Sequence, residues 1–277
     1  MLQIGQYHEL KILRTTPPGL FLGDDEGNEV LLPNKYMPAQ YEIGDLLEVF
    51  VYLDFEERIV ATNFEPFIVL NHFAKLRVKD VTQVGAFLDW GLEKDLFVPF
   101  KEQLSKMRPG NEYLVYMYED ETTGRLVASQ RIKKFLDNST LDIKEGEEVD
   151  LIIANETDLG VNVIVNEKYL GLIYHDEIFT KLAQGDECVG YVKKIREDNK
   201  LDISLQAQGY KHVEPNANLI LEKLKLNNGK LMLSDKSQPE EVYEQLGMSK
   251  KTFKKAIGLL YKQKLIILSE DSIEMNK

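Results

Sequence analysis

The sequence predicts a multidomain chain: three small all-β barrels in tandem, then a domain that mixes helices and strands. Two observations carry this. A set of landmarks recurs three times at constant spacing, and after the third copy the apolar pattern changes from period two to a helical period. At 277 residues, with 43% hydrophobic and 29% charged side chains, the chain is long enough for several small domains.

The landmarks come in a fixed order. A glycine opens an apolar stretch at 19–22 (GLFL), 85–88 (GAFL) and 160–163 (GVNV). A second apolar strand follows at 31–33 (LLP), 97–99 (FVP) and 172–174 (LIY). A glycine turn then comes at 43–45 (IGD), 109–111 (PGN) and 184–186 (QGD). The copies are offset by 66 and 75 residues, and the first and third glycines are 25 apart in each. The modules are expected at 1–66, 67–140 and 141–210, with a fourth domain at 211–277.

Each module reads as all-β. Segments such as YHELKIL, LLEVFVYL, AKLRVKDV, EYLVYMYE, VDLIIAN, VNVIVN and ECVGYVKKI are short, rich in Val, Ile, Leu and Tyr, and bounded by turn residues. About five such strands fit in each module, and a unit that small must close its sheet to enclose a core. A five-stranded barrel of the oligonucleotide-binding (OB) type is the economical solution. KYMPAQYE, KEQLSKMR and HDEIFTKLA fall between the third and fourth strands, where a helical turn would plug the barrel.

After QGYKHVEPNAN the period becomes helical. NLILEKLKLNNG reads as an amphipathic helix ending at Gly229, and KLMLSD as a short strand. Two further helices follow. The first carries Pro239 early and stops at Gly247; the second is capped by Ser249 and has the apolar line Phe253, Ile257 and Leu260. With a hairpin from LIILSED and SIEMN, this is an α+β winged-helix domain. Lys250, Lys251, Lys254 and Lys255 lie off the apolar line and form a basic stripe suited to phosphates. No Arg or Asn in that helix offers a bidentate base contact.

Alternation within VTQVGAFLDWG puts Gly85, Phe87 and Asp89 on one face and Val84, Ala86, Leu88 and Trp90 on the core side. Phe87 therefore stands on the side that should meet water. Phe21 holds the same slot in the first module and Asn162 in the third.

In order and motif the modules resemble the S-one RNA-binding domain, an OB barrel. VGAFLDWG, LFVPF and RPGNEYLVYMYEDETTGRLVAS make the second the best match; GDECVGYVKKIREDNKLDISLQ and GDLLEVFVYLDFEERIVATN match at the ends of the other two. The resemblance implies that Phe21 and Phe87 stack on bases. The family's histidine slot holds Pro33, Pro99 and Tyr174, of which Tyr174 keeps a ring. The family's acid–base pair is matched by Asp54 with Arg58 and by Glu121 with Arg125. In the third module it becomes Arg196 with Lys200, next to Lys193 and Lys194, a basic edge beside Tyr174. Three such modules and a winged helix resemble the conserved virulence factor B family of bacterial RNA-binding regulators. That implies single-stranded RNA binding and post-transcriptional regulation.

The net charge of −12 is uneven: the four segments carry −8, +1, −8 and +3, so a polyanion would be steered to particular modules. No catalysis and no cofactor are expected. His8, His72, His175 and His212 are scattered, and neither metal-ligand spacing nor a nucleophile motif is present. His175, Asp176 and Glu177 are expected in a solvated loop. The single Cys188, the absence of a basic-then-apolar N-terminus and the lack of any apolar run near 20 residues suit a cytoplasmic protein that engages no membrane. No heptad offers a dimer seam, so a monomer is expected. Two rival functions stay open: a protein–protein adaptor with degenerate barrels, and a DNA-binding transcription regulator acting through the winged helix.

Overall fold

The computed structural model describes residues 2–178, 180–206, 215–262 and 264–276. His212 and the domain boundary expected at 210–211 lie outside the described residues. The chain divides into two compact units, Met1–Leu205 and Gln206–Lys277.

The first unit holds three closed five-stranded barrels. Barrel one is β1 (Gln6–Thr16), β2 (Gly19–Gly23), β3 (Glu29–Pro33), β4 (Leu46–Leu53) and β5 (Ile59–Thr62). Barrel two is β6 (Phe73–Val81), β7 (Gly85–Asp89), β8 (Leu96–Pro99), β9 (Glu112–Asp120) and β10 (Arg125–Ser129). Barrel three is β11 (Glu148–Glu156), β12 (Gly160–Val165), β13 (Tyr169–Tyr174), β14 (Glu187–Ile195) and β15 (Leu201–Ser204). Each runs first–second–third–fifth–fourth strand around the barrel, the third and fifth paired in parallel. A single 3₁₀ turn follows the third strand of each, at Asn34–Tyr36, Phe100–Glu102 and His175–Glu177. His175–Glu177 thus forms the helical turn expected between the third and fourth strands, with His175 and Asp176 exposed to solvent as expected.

The repeated glycines have steric causes. Gly44, Gly110 and Gly185 turn with φ of 102°, 82° and 84°, a region that L side chains avoid. At Gly19, Gly85 and Gly160 a Cβ would collide with the carbonyl oxygens of Leu32, Val98 and Ile173 on the neighbouring strand. Each first strand also carries a bulge at the same place, between Ile12 and Arg14, Val78 and Asp80, and Ile153 and Asn155. A bulge bends and twists its strand, which lets five short strands close.

One correction concerns Val84. It is 61% exposed rather than core, because β7 begins only at Gly85 and residues 82–85 form a turn closed by Thr82 N–H donating to the Gly85 carbonyl at 2.9 Å. Within β7 the alternation holds: Ala86 and Leu88 are buried, Phe87 and Asp89 are half-buried.

The barrels share cores with their neighbours. Trp90, 3% exposed, meets Phe50 of barrel one edge-on at 5.8 Å and Tyr52 at 6.3 Å. Ile68, Leu70 and Leu92 extend the same cluster. Between barrels two and three, Phe73, Leu114 and Ile132 pack with Ile152, Ala154 and Ile164, and Phe135 of the connector stacks on Tyr116 at 4.1 Å.

The second unit comprises α1 (Pro215–Leu226), β16 (Lys230–Leu231), α2 (Pro239–Leu246), α3 (Lys250–Lys262) and a hairpin of β17 (Ile266–Leu268) and β18 (Ile273–Met275). The sheet order is β16-β18-β17. Pro239 starts α2, Gly247 ends it in the left-handed region at φ 66°, and Ser249 Oγ accepts from Thr252 N–H at 3.2 Å to cap α3. Phe253, Ile257 and Leu260 are buried against Val242, Leu246 and Ile273. Among the described residues no helix is long and apolar enough to cross a membrane.

Trp90→Ala removes the ring that joins the cores of barrels one and two. A loss of about 3–5 kcal/mol is expected, and urea denaturation should resolve a separate transition for barrel one.

Candidate nucleic-acid interface

Strand register builds the same face on every barrel. The slot residue of the second strand pairs with the third strand, which pairs in turn with the fifth. These rows are Phe21, Leu31 and Val60 in barrel one; Phe87, Phe97 and Val127 in barrel two; and Asn162, Leu172 and Asp202 in barrel three. A cation sits two residues before the fifth-strand member in each: Arg58, Arg125 and Lys200.

The first strand decides how open each face is. Directly after its bulge, it sets Arg14, Asp80 and Asn155 opposite the three slot residues. Arg14 lies over the Phe21 ring, 4.3 Å from its centroid, and is held there by two hydrogen bonds to Glu29 of 2.8 and 2.6 Å. The ring face expected to stack on a base is therefore covered by a cation. Asn162 donates to Asn155 Oδ1 at 3.3 Å. Asp80 is exposed and caps its own chain at Val81 N–H. No cation lies over Phe87 among the described residues; the ring pairs instead with Phe97 at 5.2 Å and 37°. That leaves barrel two with the most aromatic of the three faces.

The charged residues of the faces are engaged within the protein. Arg58 bonds Asp54 at 2.9 and 2.7 Å, as the sequence implies. The expected pairing of Arg125 with Glu121 is not what forms. Arg125 reaches Glu57 of barrel one, because the β4–β5 turn of that barrel lies against barrel two. Arg196 and Lys200 do not act as a pair with each other either. Arg196 bonds Asp202 at 2.9 Å and donates to the Tyr174 hydroxyl, while Lys200 pairs with Asp198 at 2.6 Å. Lys193 pairs with Glu177, and Lys194 is exposed beside it. The basic edge is thus next to Tyr174, as expected, but carboxylates neutralise much of it.

Two clefts follow from this geometry. In barrel three, Asn162, Leu172, Arg196 and Lys200 border a cleft of about 390 Å³ with Lys133 and Asn138 of the connector. Asn138 is fixed there by exchanging hydrogen bonds with Leu170 at 2.9 and 2.8 Å. Between barrels one and two, Phe87, Phe97, Trp90 and Arg125 border a cleft of about 370 Å³ with Phe55 and Lys94. Lys94 donates to the Asp54 carbonyl at 2.6 Å, and burial pulls its ammonium below the usual lysine range.

Sequence reasoning missed Phe97, Phe55, Lys94, Lys133 and Asn138. Phe55 did carry a signal: an aromatic ring in the acidic turn DFEER has no strand partner to bury it. Phe97 joins Phe87 through the register of β7 with β8, and Lys94, Lys133 and Asn138 become neighbours of the site only through barrel packing.

On the winged-helix unit, Lys251, Lys254 and Lys255 share the exposed side of α3, opposite Phe253, Ile257 and Leu260. Lys250 departs from the expected stripe: it is half-buried at the first helical position. Lys262 and Tyr261 extend the exposed side by another turn, around a bare Gly258 with open space where a side chain would be.

The fold and these faces define a class: S1 nucleic-acid-binding domains in tandem, completed by a winged helix. The model described as "S1 domain" matches residues 4–63 and 72–131, and that described as "CvfB-like winged helix domain" matches residues 218–275. The chain belongs to the conserved virulence factor B family. It is 30% identical over 268 residues to the uncharacterized protein YitL of Bacillus subtilis, covering 93% of this chain and 89% of that one. It is 26% identical over 283 residues to conserved virulence factor B of Staphylococcus epidermidis, covering 99% and 95%. A crystal structure of a multidomain protein with nucleic acid binding domains from Streptococcus pneumoniae aligns at 24% identity and a TM-score of 0.44, covering 99% and 98%.

Arg125 and Glu57 are both about half exposed, and such pairs contribute little to stability. Arg125→Ala should therefore shift the unfolding free energy by less than about 1 kcal/mol in a denaturant titration, which frees the variant for binding assays.

Proposed function

We propose that the protein binds single-stranded RNA and acts in the bacterial cytoplasm as a post-transcriptional regulator. The observation that carries this is the face of barrel two, where Phe87 and Phe97 lie side by side in register with Arg125 at the end of the next strand. Rings that accept any base, beside a cation that accepts a phosphate, are the minimal apparatus for sequence-tolerant single-strand binding. A duplex keeps its bases stacked inside and gives those rings nothing to hold.

The lysines of α3 supply a second, electrostatic contact. Lys251, Lys254 and Lys255 suit phosphates, and the absence of Arg and Asn from that helix leaves base identity unread there. Phe21 under Arg14, and the self-paired Arg58, Arg196 and Lys200, are weaker contributors, each available only after an internal contact is exchanged. Weak sites on one chain add through effective concentration, which suits a protein with a net charge of −12.

The test is fluorescence anisotropy with a labelled single-stranded RNA, the matching DNA strand and a duplex, across a salt series. Tightest binding to the RNA strand is expected, weakening with salt by about 0.7 logarithmic units per phosphate contact. Replacing Lys251, Lys254 and Lys255 together by alanine should flatten that slope by roughly 2. Phe87→Ala should lower affinity by about 1–3 kcal/mol with the slope unchanged. Flat traces with all three probes would defeat the reading and favour an adaptor that binds protein.

A further inference from the structure

The turn between β4 and β5 of barrel one is a hairpin tip, DFEER, with Glu57 in the left-handed region at φ 64°. It contributes nothing to the core of its own barrel. Phe55 is 71% exposed, among the most exposed large apolar side chains of the chain. Its position explains the exposure: with Val84, itself 61% exposed, it borders the cleft that Phe87 and Phe97 also line. The cleft is small and lined mainly by apolar atoms, and both its cations, Lys94 and Arg125, come from barrel two. Arg125 is occupied by the Glu57 carboxylate. A surface carboxylate on a guanidinium occupies the place a phosphate would take.

We propose that this cleft is a slot for one unstacked nucleobase with its phosphate, built jointly by two barrels. The base lies between Phe55 of barrel one and the Phe87–Phe97 pair of barrel two. The phosphate displaces Glu57 from Arg125, and Lys94 supplies the second positive charge. The volume of about 370 Å³ lies at the low end of ligand pockets, which suits one base and excludes a continuous stack. The proposal rests on the nucleic-acid reading above but adds to it. A single barrel would offer an open face, whereas here the preceding barrel provides one wall and a resident carboxylate competitor. The same chemistry could come from a residue within an RNA strand or from a free nucleoside monophosphate.

The chain has one tryptophan, and Trp90 borders this cleft, so its fluorescence reports the slot while anisotropy reports binding anywhere on the protein. The full chain is titrated with a labelled twelve-nucleotide single-stranded RNA, and separately with adenosine and uridine 5′-monophosphates. With the RNA, Trp90 emission is expected to change in step with anisotropy. Phe55→Ala, which touches no core, should weaken that change by roughly 5- to 150-fold. Glu57→Gln should strengthen it by up to about fivefold, since an exposed pair is a weak competitor. If RNA binds but Trp90 emission and the Phe55→Ala affinity stay unchanged, the slot is overturned while RNA binding stands elsewhere on the chain. If RNA does not bind but a monophosphate shifts Trp90 emission, and Phe55→Ala abolishes the shift, the slot stands and its source is a free nucleotide. Silence of Trp90 to every probe overturns the slot.

Discussion

Every barrel depends on the close approach of its second and third strands at a residue that can have no side chain. At Gly19, Gly85 and Gly160 the carbonyl oxygen of the neighbouring strand occupies the volume of a Cβ. Opposite, the first strand bulges at the same relative position each time. The two features together curl a sheet of five short strands until it meets itself, with no edge left open to other chains. They also set the candidate face. The slot residue comes two positions after the glycine, and the residue after the bulge stands across from it.

One fold repeated three times has therefore produced three different faces. The difference lies in which side chain the bulge delivers. Arg14 covers an aromatic ring, Asn155 satisfies an amide, and Asp80 turns back to its own backbone. Carboxylates do the rest, since Glu29, Asp54, Glu57 and Asp202 each hold an arginine of the first unit. Such pairs contribute little to stability in water. Their consequence would be for binding: a polyanion that engaged these four arginines would exchange a carboxylate contact for each phosphate contact, which lowers its net gain.

The barrels are not independent beads. Trp90 is shared between the cores of barrels one and two, and the connector ring Phe135 stacks on Tyr116 beside the junction of two and three. Packed junctions set what faces what. The hairpin carrying Phe55 and Glu57 is a turn by local structure, yet it forms a wall of the neighbouring barrel's cleft because the Trp90 junction holds it there.

The sequence by itself determined the repeat, the barrels, the helix order of the winged-helix domain and the facing of Phe21 and Phe87. All of these rest on local rules: alternation along a strand, apolar spacing along a helix, and glycine where the backbone demands it. It also carried the Asp54–Arg58 pair, whose members are four residues apart in one turn. Only the tertiary structure decided that Arg125 pairs with Glu57 rather than Glu121, that Arg14 lies over Phe21, and that Phe55 and Lys94 join Phe87 and Phe97 in one cleft. The physical reason is distance along the chain. These contacts join residues from different strands or different barrels, and their partners are set by bulge position and domain packing, which leave no period in the sequence to read.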